Sequence, residues 1–336
     1  MRHEHILLAH GSGGSMMHDL IRDVFHAAFG NPALRHAHDG AMLDNPDGRL
    51  AFTTDSYVVQ PVIFPGGSIG ELAVHGTIND LAMCGARPLA LSVGMILEEG
   101  LEMALLEDIV GRMKQASEEA GVPIVTGDTK VVERGSCDKI FINTSGIGVV
   151  PHGVHIDGAA ARPGDAVLLS GNIGEHGVAV MSERKGVRFQ TAVRSDTQAL
   201  HRLVARMFDV TPTIHVLRDP TRGGVATTLN EIAAQSRCGI EIDEERLPIT
   251  DAVAGACDLL GLEPLFLANE GKLLAIVPEE HADPLLAAMR ALPEGADSCR
   301  IGRVVADMPG IVRMRTGIGG TRIVSMLTGE MLPRIC

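Results

Sequence analysis

Hydrophobic periodicity along this chain switches repeatedly between two residues and roughly 3.6, and then starts over; few folds other than a layered α/β protein satisfy that pattern. After Gly11-Ser12-Gly13-Gly14, residues Leu20, Ile21, Val24, Phe25 and Ala28 fall at helical spacing, and Gly30-Asn31-Pro32 stops the helix. Residues 50–59 read as a strand. Ser68-Ile69-Gly70-Glu71 has the form of a capping box, predicting a helix from Ile69 toward Cys84. A strand over 89–97, an amphipathic helix over 101–120 ended by Gly121 and Pro123, and strands at 124–125 and 140–150 complete this half. The pattern lapses over Pro151 to Asp165 and restarts at Ala166-Val167-Leu168-Leu169. Helices are expected near 174–183, 196–207, 222–236 and 281–291, with strands between them and a closing hairpin of 311–315 and 322–326 around Gly317-Ile318-Gly319-Gly320.

With 336 residues, two domains are expected, each able to bury its own core. The boundaries read as 1–150, 160–327 and a flexible tail, 328–336, that shows no periodicity. Trp is absent, Tyr occurs once and the formal charge is −13, so the chain lacks stacking platforms for nucleic acid and would repel its phosphates. The same acidity suits an anionic substrate only if a cation such as Mg²⁺ comes between. No run approaches the ~18 apolar residues of a membrane helix, and the apolar run at the N-terminus is short for a signal peptide, so a cytoplasmic protein without membrane contact is expected. The six cysteines (84, 137, 238, 257, 299 and 336) form no CxxC pair; the five internal ones read as small core residues.

Asp55, Asp80 and Asp128 stand beside small or flexible residues, in Thr53-Thr54-Asp55-Ser56, Asn79-Asp80 and Gly127-Asp128-Thr129-Lys130. Hard oxygen ligands on separate segments are what Mg²⁺ with a polyphosphate requires, although an Asp at a turn is more often structural. Gly11 to Gly14 before a helix offers bare amides to a phosphate; a tight turn uses the same glycines. Arg218-Asp219-Pro220-Thr221-Arg222-Gly223-Gly224 also precedes a helix and adds two guanidinium groups, which a plain turn does not explain. Asn269-Glu270-Gly271-Lys272 follows an apolar stretch, and Glu270 there is a candidate base or a solvent-facing turn residue. Seven of the fourteen histidines lie in residues 1–38, but only His3/His5 and His36/His38 are close pairs, so surface histidines are expected, with His10 kept as a phosphate or substrate contact.

The terminus Met331-Leu332-Pro333-Arg334-Ile335-Cys336 places a thiol at the extreme tip, and six extended residues reach roughly 20 Å. An exposed cysteine with no use is an oxidation liability, so the thiol reads as a carrier.

Thr-Thr-Asp-Ser, Asn-Asp-Leu-Ala-Met-Cys-Gly-Ala, Gly-Asp-Thr-Lys-Val-Val, Arg-Asp-Pro-Thr-Arg-Gly-Gly, Asn-Glu-Gly-Lys and the terminal Pro-Arg-Ile-Cys together resemble the HypE family of hydrogenase maturation factors, in the aminoimidazole ribonucleotide synthetase superfamily. The resemblance spans essentially the whole chain. It implies a two-domain α/β fold whose N-terminal domains pair into a β-barrel in a homodimer. It also implies an ATP-dependent carbamoyl dehydratase: a carbamoyltransferase, HypF, loads Cys336, and the S-carboxamide is dehydrated to a thiocyanate. Cyanide then passes to a [NiFe]-hydrogenase iron through HypC and HypD. Carried over onto these positions, Asp55, Asp80 and Asp128 become Mg–ATP ligands. Gly11, Ser12, Gly13, Gly14, Asn79, Asp219, Arg222, Gly223 and Gly224 become nucleotide contacts, Lys130 a stabiliser of phosphoryl charge, and Glu270 the base. Selenophosphate synthetases carry a reactive Cys or selenocysteine near the first glycine loop, where this chain has Ser and His; a passive carrier of a group made elsewhere is the rival from another class.

Overall fold

The computed structural model describes residues 3–35, 40–44, 46–186, 193–327 and 334–336. The pair His36/His38 lies outside them. The first half contains helix α1 (Ser15–Leu20), strand β1 (Arg49–Tyr57), helix α2 (Ile69–Met83), strand β2 (Arg87–Glu98), helix α3 (Met103–Ala120) and strands β3 (Ile124–Val132) and β4 (Ile140–Val150). The helical path of α1 continues through a π-helical stretch, Ile21–His26, and stops at Gly30 as its sequence requires. The sheet order is β1-β4-β2-β3, with β2 and β3 parallel and the other pairs antiparallel.

Helix α2 begins where the cap is written. Ser68 Oγ accepts from the N–H groups of Gly70 at 3.2 Å and Glu71 at 3.4 Å. Glu71 does not close the expected box; its carboxylate lies 3.6 Å from Arg112 of α3. Beyond the cap, α2 is buried almost all round, because it sits between the sheet and the second half of the chain. Strand β3 runs through Gly127-Asp128-Thr129-Lys130 and does not end before it.

The second half comprises β5 (Ala166–Leu169), α4 (Glu175–Lys185), α5 (His201–Val210), β6 (Val216–Arg218), α6 (Gly224–Ser236), β7 (Gly239–Asp243), α7 (Asp251–Leu260), β8 (Leu274–Val277), α8 (Glu279–Arg290), β9 (Cys299–Val305), β10 (Val312–Arg315) and β11 (Thr321–Val324). Its sheet runs β11-β10-β7-β9-β5-β8-β6. The unbroken apolar runs of β5 and β8 are explained by burial on both faces. Val167, Leu169, Leu274 and Ile276 enter one core, while Ala166, Leu168, Ala275 and Val277 enter another. Strands β7 and β10 alternate instead, and their open face pairs Arg313 with Glu241 at 2.9 Å and Arg315 with Asp243 at 2.5 Å. The helix expected from residue 196 starts only at His201, and α7, capped by Thr250, is not announced by the periodicity.

One face of the first sheet is covered by α2 and α3; the other is exposed, with Leu50 at 56%, Phe52 at 73% and Ile96 at 42%. A barrel is therefore not closed by one chain. Among the cysteines expected in the core, Cys137, Cys238 and Cys257 are buried, but Cys84 is exposed and Cys299 half-buried. Among the described residues no helix is long and apolar enough to cross a membrane.

The close approach of α2 to β1 fixes one glycine. A Cβ on Gly76 would lie 2.1 Å from the Tyr57 hydroxyl, which is itself buried. Gly76→Ala should lower stability by about 1–3 kcal/mol, read as a fall in the urea midpoint at unchanged m-value.

Candidate active site

Strand alternation turns Thr53, Asp55 and Tyr57 of β1 toward α2, and Asp80 rises from the last turns of α2 to meet them. Thr53 Oγ1 donates to Asp80 Oδ2 at 2.7 Å, and the Tyr57 hydroxyl donates to Asp55 Oδ2 at 3.1 Å. From the second half, Asp219 joins at the end of β6. Burial, and then the charge of Asp80, pushes its carboxyl up to about 7. Asp80 is raised as well, by burial first, with the Thr53 hydrogen bond opposing. Crowded carboxylates of this kind favour a cation or bound protons.

Just beyond Asp219 the chain makes two left-handed glycine steps, with φ of 75° at Gly223 and 61° at Gly224. A Cβ on Gly224 would lie 2.5 Å from the carbonyl oxygens of Leu265 and Leu267. Only glycine lets the chain turn here and start α6, whose N-terminus has no side-chain cap; the buried Thr227 Oγ1 one turn on has no hydrogen-bond partner. That combination, with Arg222 exposed beside it, suits an oxyanion.

Glu270 does not emerge from a strand. Residues 267–273 have no regular structure, and other side chains hold their backbone instead. Asn269 Oδ1 accepts from Gly174 N at 2.8 Å, and its Nδ2 donates to Pro220 O and Leu267 O, each at 3.0 Å. Asp196 accepts from Glu270 N at 3.1 Å and Gly271 N at 3.3 Å. Lys272 Nζ, nearly buried, stands 3.6 Å from both Asp196 and Glu175. A Cβ on Gly271 would lie 1.9 Å from Asp196 O, so that glycine is obligatory. The outcome is a Glu270 carboxyl only 4% exposed, with Oε1 lacking a partner. Burial, followed by the charges of Asp196, Asp219 and Asp55, holds it well above the usual carboxylate range, with Arg222 opposing. A turn residue facing solvent is excluded.

The last three residues enter this pocket. Val58 N donates to Cys336 O at 3.1 Å, Gln60 N to Arg334 O at 3.3 Å, and His176 Nε2 to Ile335 O at 2.8 Å. Ile335 is 4% exposed and belongs to the first core, so these residues do have a packing role that their lack of periodicity hides. Residues 328–333 lie outside the described set. The Cys336 thiol is pushed up to about 12, by burial first and by the Glu270 charge second, with Arg222 pulling the other way.

Several residues singled out in the sequence are placed elsewhere. Asn79 is buried and fully used: Nδ2 donates to Gln198 O at 3.0 Å and Glu270 O at 3.3 Å, and Oδ1 accepts from Leu200 N at 2.8 Å. These bonds hold the site's frame. His10 is likewise buried, with Nδ1 accepting from Leu7 N at 2.9 Å. Asp128 and Lys130 pair with each other at 2.7 Å on β3, where register with Gly94, Asn143 and Ser56 sets Asp128 on the exposed sheet face, opposite to Asp55. Three strand spacings, roughly 14 Å, separate β3 from β1. Asp55, Asp80 and Asp128 are thus not brought together by one chain, and among the described residues no group of three His, Cys, Asp or Glu converges as a metal site. Gly11 to Gly14 lies on the β3 side too: a Cβ on Gly11 would meet Val131 N at 2.8 Å. Tyr57, His176 and Asp196 have no motif of their own, and Lys272 stands in Asn269-Glu270-Gly271-Lys272, a motif that assigns it no role. Only Tyr57, two residues from Asp55 on a strand, could have been found by alternation.

This arrangement defines an AIR synthase related protein. The N-terminal domain model of that family matches residues 37–150 and the C-terminal one residues 162–314, so the chain belongs to the family. It is 57% identical over 330 residues to carbamoyl dehydratase HypE of Cupriavidus necator, covering 98% of this chain and 94% of that protein. A crystal structure of hydrogenase maturation protein HypE in complex with ATP superposes with a TM-score of 0.95 at 53% identity, over 98% of this chain and 99% of the other. A chain of a crystal structure of a HypE–HypF complex does so with a TM-score of 0.81 at 47% identity, over 92% and 99%. Within the AIR synthase related proteins, the chain is therefore a member of the HypE family.

With the thiol raised from its ordinary 9.0 to about 12, the docked thiolate fraction near pH 8 falls about a thousandfold. Iodoacetamide should accordingly label Cys336 far more slowly than a free cysteine. His176→Ala, which removes the donor to Ile335 O, should speed labelling at least about tenfold, read by mass of the C-terminal peptide.

Proposed function

We propose that the chain is an ATP-dependent carbamoyl dehydratase that converts an S-carbamoyl group on its own Cys336 to a thiocyanate, the source of cyanide for a [NiFe]-hydrogenase iron. The observation that carries this reading is the docked terminus. Cys336, Glu270, Asp55 and Arg222 are close enough for their charges to act on one another. A carboxamide loses water only if its oxygen becomes a better leaving group. Phosphoryl transfer from ATP to that oxygen supplies one, and loss of an N–H proton then expels phosphate. Overall, R–S–CO–NH2 and ATP give R–S–C≡N, ADP, phosphate and a proton. Glu270 is the base, since a buried carboxylate with no donor on Oε1 is strong once ionised. Arg222 and the free N–H groups at the start of α6 hold oxyanion charge.

Asp55, Asp80 and Asp219 do not by themselves converge as a metal site, but they act on one another's charge, and a divalent cation brought in with ATP would relieve that repulsion. Asp55, Asp80 and Asp219 are the residues that would hold Mg²⁺, which would supply charge neutralisation for the phosphates. Asp128, Lys130 and Gly11 to Gly14 contribute from the far side of the sheet. We assign the exposed sheet face with Leu50, Phe52 and Ile96 to a second copy, the pairing that closes two open sheets into a barrel, with Asp128 and Lys130 on that same face. HypF is the loading partner, a role supported by the likeness to a HypE solved with HypF, and the HypC–HypD pair is the cyanide acceptor. The domain limits 1–150, 160–327 and 328–336 divide this labour between a nucleotide and pairing unit, a second α/β unit and the carrier.

Carbamoyl-loaded protein incubated with ATP should lose the mass of one water from its C-terminal peptide. Glu270→Gln should slow that loss by at least about a hundredfold; wild-type rates in this variant exclude Glu270 as the base. Cys336→Ser should form no thiocyanate at all. Independently, Phe52→Arg should shift the protein to a monomer in sedimentation, and an unchanged sedimentation coefficient would remove the pairing surface.

A further inference from the structure

The docked terminus is held through both its main chain and two side chains. Val58 N, Gln60 N, His176 Nε2 and Arg184 Nη2 donate to main-chain oxygens of residues 334–336, the last to Arg334 O at 2.7 Å. Hydrogen bonds of that kind recognise a peptide, not a particular covalent connection. Two side chains add selectivity. Ile335 is buried in the first core, and Arg334 donates to Val58 O at 3.0 Å and pairs with Asp138, its guanidinium 5.8 Å from the Phe141 ring centroid.

The donors are set by contacts that do not involve the tail. His176 Nδ1 accepts from Ser195 Oγ at 2.8 Å, and the ring meets the Phe64 ring edge-on at 5.5 Å. Arg184 Nε donates to Gln60 O at 2.9 Å. Asp138 lies in the bend that leads into β4. A site whose donors are fixed in advance spends little on ordering when a ligand enters.

We infer that the groove between residues 58–60 and α4 is a carboxyl-terminal peptide site that also accepts a peptide ending in Arg-Ile-Cys in trans, and that the enzyme dehydrates the S-carbamoyl group such a peptide carries. The tail is then a tethered ligand, and its tether supplies an effective concentration on the order of millimolar in place of tight contacts. The reaction in trans has the same balance as the one above and rests on that reading; the binding step does not.

The test uses full-length protein with Arg334→Ala, Ile335→Ala and Cys336→Ser, so that its own tail competes poorly, and a dye-labelled peptide of residues 331–336. Anisotropy should show saturable binding at up to millimolar peptide. Aspartate at the Ile335 position of the peptide should weaken it at least about tenfold, and so should His176→Ala in the protein, with folding checked by circular dichroism. No saturation, or equal binding of a scrambled peptide, overturns the site. In a second arm the S-carbamoylated peptide is incubated with ATP and weighed. Thiocyanate on the peptide establishes the activity; binding without it, while wild-type protein dehydrates its own loaded tail, overturns the activity in trans.

Discussion

Everything at the site depends on how a stretch without secondary structure is fixed between the two halves of the chain. Residues 267–273 have no ladder to join, so buried side chains satisfy their polar groups: Asp196 takes two N–H groups, Asn79 gives one bond to the Glu270 carbonyl, and Asn269 ties the start of the loop to Gly174 and Pro220. These bonds reach from α2, from 193–200 and from the loop before α4 at once. Loosening any of them moves Glu270 relative to Asp55 and Asp219. The Asp196–Lys272–Glu175 group is costly to bury and strongly destabilising to break, which suits a frame meant to hold one geometry.

That frame also explains why the thiol is both carrier and guest. Cys336 in the pocket lies near Glu270 and Arg222, and burial pushes its thiol up. A thiol in that state is a poor nucleophile for acquiring a group. The hold on the terminus combines four hydrogen bonds to its main chain with the buried Ile335 and the Arg334–Asp138 pair.

The assigned residues divide by the face of one sheet. Asp55 turns inward toward α2, whereas Asp128 and Lys130 turn outward on an exposed face carrying Phe52 and Ile96. Sequence spacing cannot reveal this division, since each motif read alone promises an anionic or cationic contact. The side follows from register: a shift of one residue along β3 would exchange the faces.

Much of the architecture was legible. The Ser68 cap, the Gly121 stop and the apolar run of β5 are local consequences of residue type, so they appear in the sequence as they do in the fold. The acidic and glycine motifs named the chemistry, because few residue types can hold phosphate or move a proton. Tertiary structure decided which of them meet. Asn79 and His10 became internal braces, and the segment 193–200 was held open instead of joining α5. The terminus settled into a groove whose donors, His176 and Arg184, no motif marked. Such roles arise from hydrogen bonds between residues far apart in the chain, and a pattern read over a dozen neighbours has no access to them.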